Sequence, residues 1–320
     1  MNKKTKVWVI TAVIFMVIGC IVFGGVMSAI NWDFKKLSTE KYETNTYTVN
    51  NEFGSISVNT NTADILFVLS QNNECKVVCY EEKNMKHSVD VRDNTLVVKV
   101  LNTKKWYEHI GINFGTPKVT VYLPNDKYEN LNIKGNTGRI LIPKDFNFKN
   151  IDVSVSTGAV KNYANALKNI KIKASTGSVT AKNITADTLD ISTSTGEIIA
   201  ESIRCEGEAK FSISTGKVTL SDVKCKELTS SGSTGKIVLN NVVATEKFFI
   251  KRSTGDIEFK KCDAAELNIK TDTGDVKGSL LTEKVFVTET DTGKIDVPKT
   301  TYGGKCEIST DTGDIKIAIG

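Results

Sequence analysis

Any chemistry in this chain has to come from a ladder of polar side chains. Two residues before each of ten regularly spaced glycines stand Asn136, then Ser156, Ser175, Ser194, Ser214, Ser233 and Ser253, then Asp272, Asp291 and Asp311. Asp256, Asp275 and Asp314 follow three of the same turns. Stacked carboxylates repel one another, and as oxygen ligands they could attract Ca²⁺. The competing use is structural, because Ser and Asp side chains bond backbone N–H groups within turns. The sequence favours the structural use: it lacks the Gly-Gly-x-Gly-x-Asp pattern of calcium-binding solenoids. No metal ligand and no cofactor-binding residue is assigned.

Catalysis finds even less support. His87 and His109 are the only histidines, and no nucleophile elbow, phosphate loop or zinc spacing occurs. Pectin-degrading β-helix enzymes gather acidic and basic groups on one outer face, whereas here Asp and Lys alternate around many turns without converging. No catalytic residue is assigned and the chain reads as non-enzymatic, a polysaccharide-active β-helix enzyme being the most distant alternative. Lys104 to Phe114, with Trp106 and Tyr107, interrupts the β pattern. It reads as an end plug, or as a loop that touches a ligand or membrane. The 7 cysteines are odd in number. Cys75 and Cys79 lie ~13 Å apart along one strand and cannot bridge. Most cysteines read as small buried hydrophobes; Cys205 and Cys225 share a repeat phase, which keeps a disulfide open as the alternative.

The elements that would position the ladder follow from the glycines themselves. Thr-Gly recurs from Gly138 to Gly313 at intervals of 19 or 20 residues. Two residues after each Gly comes Ile or Val, from Ile140 to Ile315; seven before comes an apolar residue, from Leu131 to Cys306; five before, eight of ten are apolar. Apolar residues two apart define a strand with one buried face. Each repeat is thus a strand, a tight turn whose Gly supplies positive φ, a second strand and a variable corner. No repeat can bury its apolar face alone, but ten stacked at ~4.8 Å form a coil roughly 48 Å long. Residues 44–135 carry the same β character without the turn and read as irregular opening turns.

Val7 to Ile30 runs 24 residues without a charge. As a helix it is ~36 Å long, enough for a ~30 Å hydrocarbon core. It is too long for a cleavable signal. Val17-Ile18-Gly19-Cys20 resembles a lipobox, so a lipoprotein acylated at Cys20 is the minor alternative, but Ile21 to Phe23 continue the apolar run. Lys3, Lys4 and Lys6 supply three of the net charge of +5. They bias the N-terminus to the cytoplasm, and the near-neutral remainder has no nucleic-acid footprint.

Leu123-Pro-Asn-Asp-Lys-Tyr-Glu-Asn-Leu-Asn-Ile133 followed by the Thr-Gly array resembles the bacterial putative-adhesin β-strand-repeat domain family, common in Gram-positive envelope proteins. The resemblance covers about residues 44–320. It implies a β-solenoid, sometimes in proteins linked to envelope-stress operons, and no agreed ligand or catalytic residues.

The sequence therefore predicts an all-β, single-domain parallel β-solenoid of about ten regular turns. Its organisation is a cytoplasmic N-terminus (1–6), a transmembrane helix (7–30), a stalk (31–43) and the solenoid (44–320; opening turns 44–135, Thr-Gly repeats 136–320). The expected role is a non-catalytic binding, adhesion or scaffolding module outside the membrane, with a cell-envelope polymer or protein as partner. The C-terminal strand ends without a cap, which suggests end-to-end self-association and, as the runner-up, a cytoplasmic bactofilin-like scaffold.

Overall fold

The computed structural model describes residues 2–37, 41–102 and 115–320. The first element is helix α1 (Lys3–Ala29), whose side chains are apolar on all sides and exposed almost throughout. The rest is β. In chain order the strands are β1 (Tyr42–Val49), β2 (Ser55–Thr62), β3 (Asp64–Leu69), β4 (Cys75–Glu82), β5 (Met85–Arg92), β6 (Thr95–Asn102) and β7 (Lys118–Leu123). The regular coil follows as β8 (Lys127–Ile142), β9 (Asn147–Asn162), β10 (Asn165–Ala186), β11 (Thr188–Cys205), β12 (Glu208–Thr234), β13 (Ile237–Thr254), β14 (Ile257–Cys262), β15 (Glu266–Thr273) and β16 (Val276–Leu280). β17 (Lys284–Thr292), β18 (Ile295–Asp296), β19 (Gly304–Thr312) and β20 (Ile315–Ile319) complete it.

Consecutive coils pair in parallel at one repeat of offset, so Gly177 lies against Gly158 and Gly196, and Val179 against Val160 and Ile198. The solenoid expected from the repeat is the observed fold. Its apolar columns form one continuous core. Nine of the ten Thr-Gly glycines, all but Gly293, have positive φ. A second corner lies six residues further on, where Asn183, Ser202, Asp222, Asn241 and Lys261 are left-handed at φ 52 to 55°. Asn and Asp adopt that conformation at small cost.

The opening region holds two coils and a cap. In the first coil Ile56, Val58 and Ile65 pair with Leu131, Ile133 and Ile140, so Thr62-Ala63-Asp64-Ile65 is a repeat with Ala in place of Gly. In the second, β6 and β7 pair with β2 and β3. The Thr-Gly corner that would join them is replaced by a segment containing Lys104 to Phe114, the predicted plug, which lies outside the described residues. The chain then reverses: β5 runs antiparallel to β6, and β4 antiparallel to β7 and β1. Part of this opening region is therefore an antiparallel layer rather than further turns of the coil.

The other end departs from sequence order. β19 and β20 insert between the coil of Gly274 and the coil of Gly293: β19 pairs with β15 and β17, and β20 with β16 and β18. Gly274 N donates to Thr312 O, and Gly313 N to Thr292 O, both at 2.9 Å. The C-terminal strand, expected to be the open edge, is thus interior, and β17–β18 is the last layer. Ile295, in a column buried elsewhere, is 45 % exposed there. Engineered cysteines test this order. Asp272→Cys with Asp311→Cys should form a disulfide, since adjacent coils lie ~4.8 Å apart, whereas Asp272→Cys with Asp291→Cys, two coils apart, should not. The reverse outcome would restore sequential stacking.

Candidate functional site

The corner beside the Thr-Gly column is where the polar ladders meet. After the turn, each Asp acts as a stitch between coils: Asp64 Oδ1 accepts from Arg139 N at 2.8 Å, Asp275 Oδ1 from Asp314 N at 2.9 Å, and Asp314 Oδ1 from Lys294 N at 2.9 Å. Asp275 N donates to Asp256 Oδ1 at 3.1 Å. Lys277 at 2.6 Å, then the Asp314 N–H, hold the Asp275 carboxyl below the usual carboxylate range. These carboxylates serve the backbone, as expected, but the bonds run from one coil to the next and not within a single turn. Asp291 and Asp311 stand exposed at the C-terminal end of the ladder and Asp272 is half-buried.

On the strand before the turn, an open groove of about 420 Å³ crosses five coils. Ser154, Lys173, Ser192, Ser212 and Ser231 form one rim, and Ser175, Ser194 and Ser214 form the other. Its floor is an inward column made by Val155, Ala174, Thr193, Ile213 and Gly232. A neighbouring groove is lined by Asn130, Asn150, Asn169 and Thr188. There the side chains satisfy one another: Asn150 donates to Asn130, Asn169 to Asn150, and Thr188 to Asn169, at 2.7 to 3.0 Å. Such ladders stabilise the stack and leave little for a ligand. In the serine groove, among the described residues, only the Ser212 and Ser231 hydroxyls contact each other, at 3.4 Å.

A second cluster lies in the antiparallel cap. Cys79 and Glu81 share one face of β4, and the turn into β5 brings His87 onto them. Glu81 Oε2 accepts from both His87 N and Nδ1 at 2.6 Å; Oε1 accepts from Asn45 Nδ2 at 2.7 Å and Tyr47 OH at 3.3 Å. Burial first, then Glu81, pushes the Tyr47 phenol and the Cys79 thiol each up to about 12. A neutral, wholly buried thiol is inert as a nucleophile. Sequence reasoning had set His87 aside; the signal was Cys79-x-Glu81 on one strand face with His87 across a short turn. His109 lies outside the described residues. The other cysteines of the solenoid, Cys205 and Cys225 included, are free and buried.

The sequence profile of the Toastrack DUF4097 family matches residues 53–318. The chain belongs to that family. Toastrack DUF4097 is a domain of unknown function, in keeping with the envelope-domain resemblance seen in the sequence. A "putative adhesin" of Parabacteroides merdae is similar at 17% identity and TM-score 0.50, over 74% of this chain and 96% of its own. Another of Parabacteroides distasonis is similar at 15% identity and TM-score 0.50, over 75% and 98%. At such identities the likeness is one of fold. No curated protein matches the sequence.

Proposed function

We propose that the chain is a single-pass membrane protein whose Toastrack solenoid stands outside the membrane as a non-catalytic binding or scaffolding surface for a polymer or protein of the cell envelope. The observation that carries the reading is the contrast between α1, apolar all round and exposed along its length, and a solenoid faced with polar ladders and open grooves. An exposed apolar helix of this length needs lipid around it. Trp8 stands near one end of α1, and Trp32, just past the other end, turns its ring back onto Phe23 at 6.4 Å; Trp is enriched at such membrane interfaces.

The two similar solved structures named putative adhesins suit a binding role. The full chain in detergent, spun with purified cell walls, should sediment with them saturably; recovery no greater than that of an unrelated detergent-solubilised protein would contradict the reading. The exposed β17–β18 end, with Val285, Val287 and Ile295, favours the scaffold as second reading, with copies meeting at that layer.

A further inference from the structure

Arg252 is a buried charge whose placement the stack does not explain. It lies three residues before Gly255, in the inward column that includes Val155, Ala174, Thr193, Ile213 and Gly232. Its side chain runs back along that column. Nη1 donates to Ile213 O at 3.1 Å, two coils away, and fills the space that a Cβ on Gly232 would claim. Arg252 is 0 % exposed, and Nε and Nη2 have no partner among the described residues. Burial alone pulls the guanidinium down to about 10, which leaves it charged at neutral pH. An unpaired buried charge is strongly destabilising, so a fold that keeps one has a use for it.

The column Arg252 enters is the floor of the serine groove. Hydroxyls line both rims, Lys173 adds a second cation, and no carboxylate takes part in the lining. Charge beneath a floor of low dielectric is screened less than charge in water. Groove donors recur at one coil spacing, ~4.8 Å, and so present the same contacts repeatedly to an extended chain. We infer that the serine groove binds the oxyanions of an acidic polymer lying along the stack, with Arg252 supplying the charge beneath its floor. This names a ligand class for the surface proposed above and rests on that reading.

The test is thermal melting of the full chain in detergent with linear polyphosphate, or with inorganic phosphate at equal phosphate concentration. Wild type should show a saturable rise with polyphosphate. Arg252→Met should melt at or above wild type without ligand and bind polyphosphate ~10-fold or more weakly. Inorganic phosphate should raise both proteins equally and slightly, as an excluded salt does. Two results would overturn the inference: a variant that melts below wild type yet keeps the polyphosphate rise, or inorganic phosphate matching polyphosphate in wild type. If Arg252→Met does not fold, Ser192→Ala with Ser212→Ala on the rim should weaken polyphosphate binding without lowering the melting temperature; unchanged affinity would again overturn it. Wall binding without polyphosphate binding would remove this inference and leave the proposed function standing. Polyphosphate binding without wall binding would do the reverse.

Discussion

Gly196→Val is expected to prevent the middle of the stack from forming. Gly196 sits at φ 144°, a region closed to β-branched residues, and a Cβ there would be driven into the carbonyl oxygen of Gly177 in the coil beneath. Neither contact can relax, because both are backbone locked by parallel pairing on each side. The cost should exceed ~4 kcal/mol, in the range reserved for strain at a special backbone position. The defect should also divide the stack, since each coil is held mainly by its neighbours. Circular dichroism melting in detergent would show loss of the transition or a large fall in its midpoint. Gly135→Ala is the control: its new Cβ would meet only Val155 Cγ1 at 3.8 Å, an ordinary contact. A wild-type melting curve for Gly196→Val would mean that the glycine column is not what holds the coils in register.

The second large effect belongs to the cap. Glu81→Ala removes an acceptor that receives four hydrogen bonds, from Asn45, Tyr47 and both His87 donors, in a site where Glu81 is 0 % exposed. Orphaning several buried donors at once should cost ~3–5 kcal/mol. Denaturant unfolding would report it as a lower midpoint with an unchanged slope. Glu81→Gln should lie between wild type and Ala, because an amide can serve Asn45 and Tyr47 but turns a donor toward His87. A loss below ~1 kcal/mol for Glu81→Ala would show that the strand pairings of β1, β4 and β5 hold the cap without this carboxylate.

Much of the fold was legible because identical phase in the sequence becomes identical position in space. The columns ending at Ile315 and Cys306 were readable as core before any coordinates. The coil of Ala63 reads in the sequence only as an irregular opening turn because the repeat is recognised by its Gly, although Ile56, Val58 and Ile65 stand at the same offsets as in every other repeat. Ala63 is not among the residues with positive φ, which is why a side chain is accepted there. The insertion of the last coil was illegible because the coils of Gly293 and Gly313 carry the same turn. The composition does hint at the order: five residues before Gly293 stands Thr288, where the Gly313 coil has buried Ile308. The coil with the poorer core takes the end, and the richer one is covered on both sides. Arg252 could have been noticed as a charge in an inward column. The Glu81–His87 pair depended on a chain reversal that no periodicity announces.

Whether the solenoid is held outside the membrane is decided by adding protease to intact protoplasts and following the solenoid with an antibody. A cytoplasmic protein serves as the leakage control. Stacked parallel strands resist cleavage, so the signal is release of an intact fragment by a cut between α1 and β1. Release from intact protoplasts is the predicted result. Release only after lysis would contradict that placement, reverse the topology and leave the self-assembling cytoplasmic scaffold as the better reading.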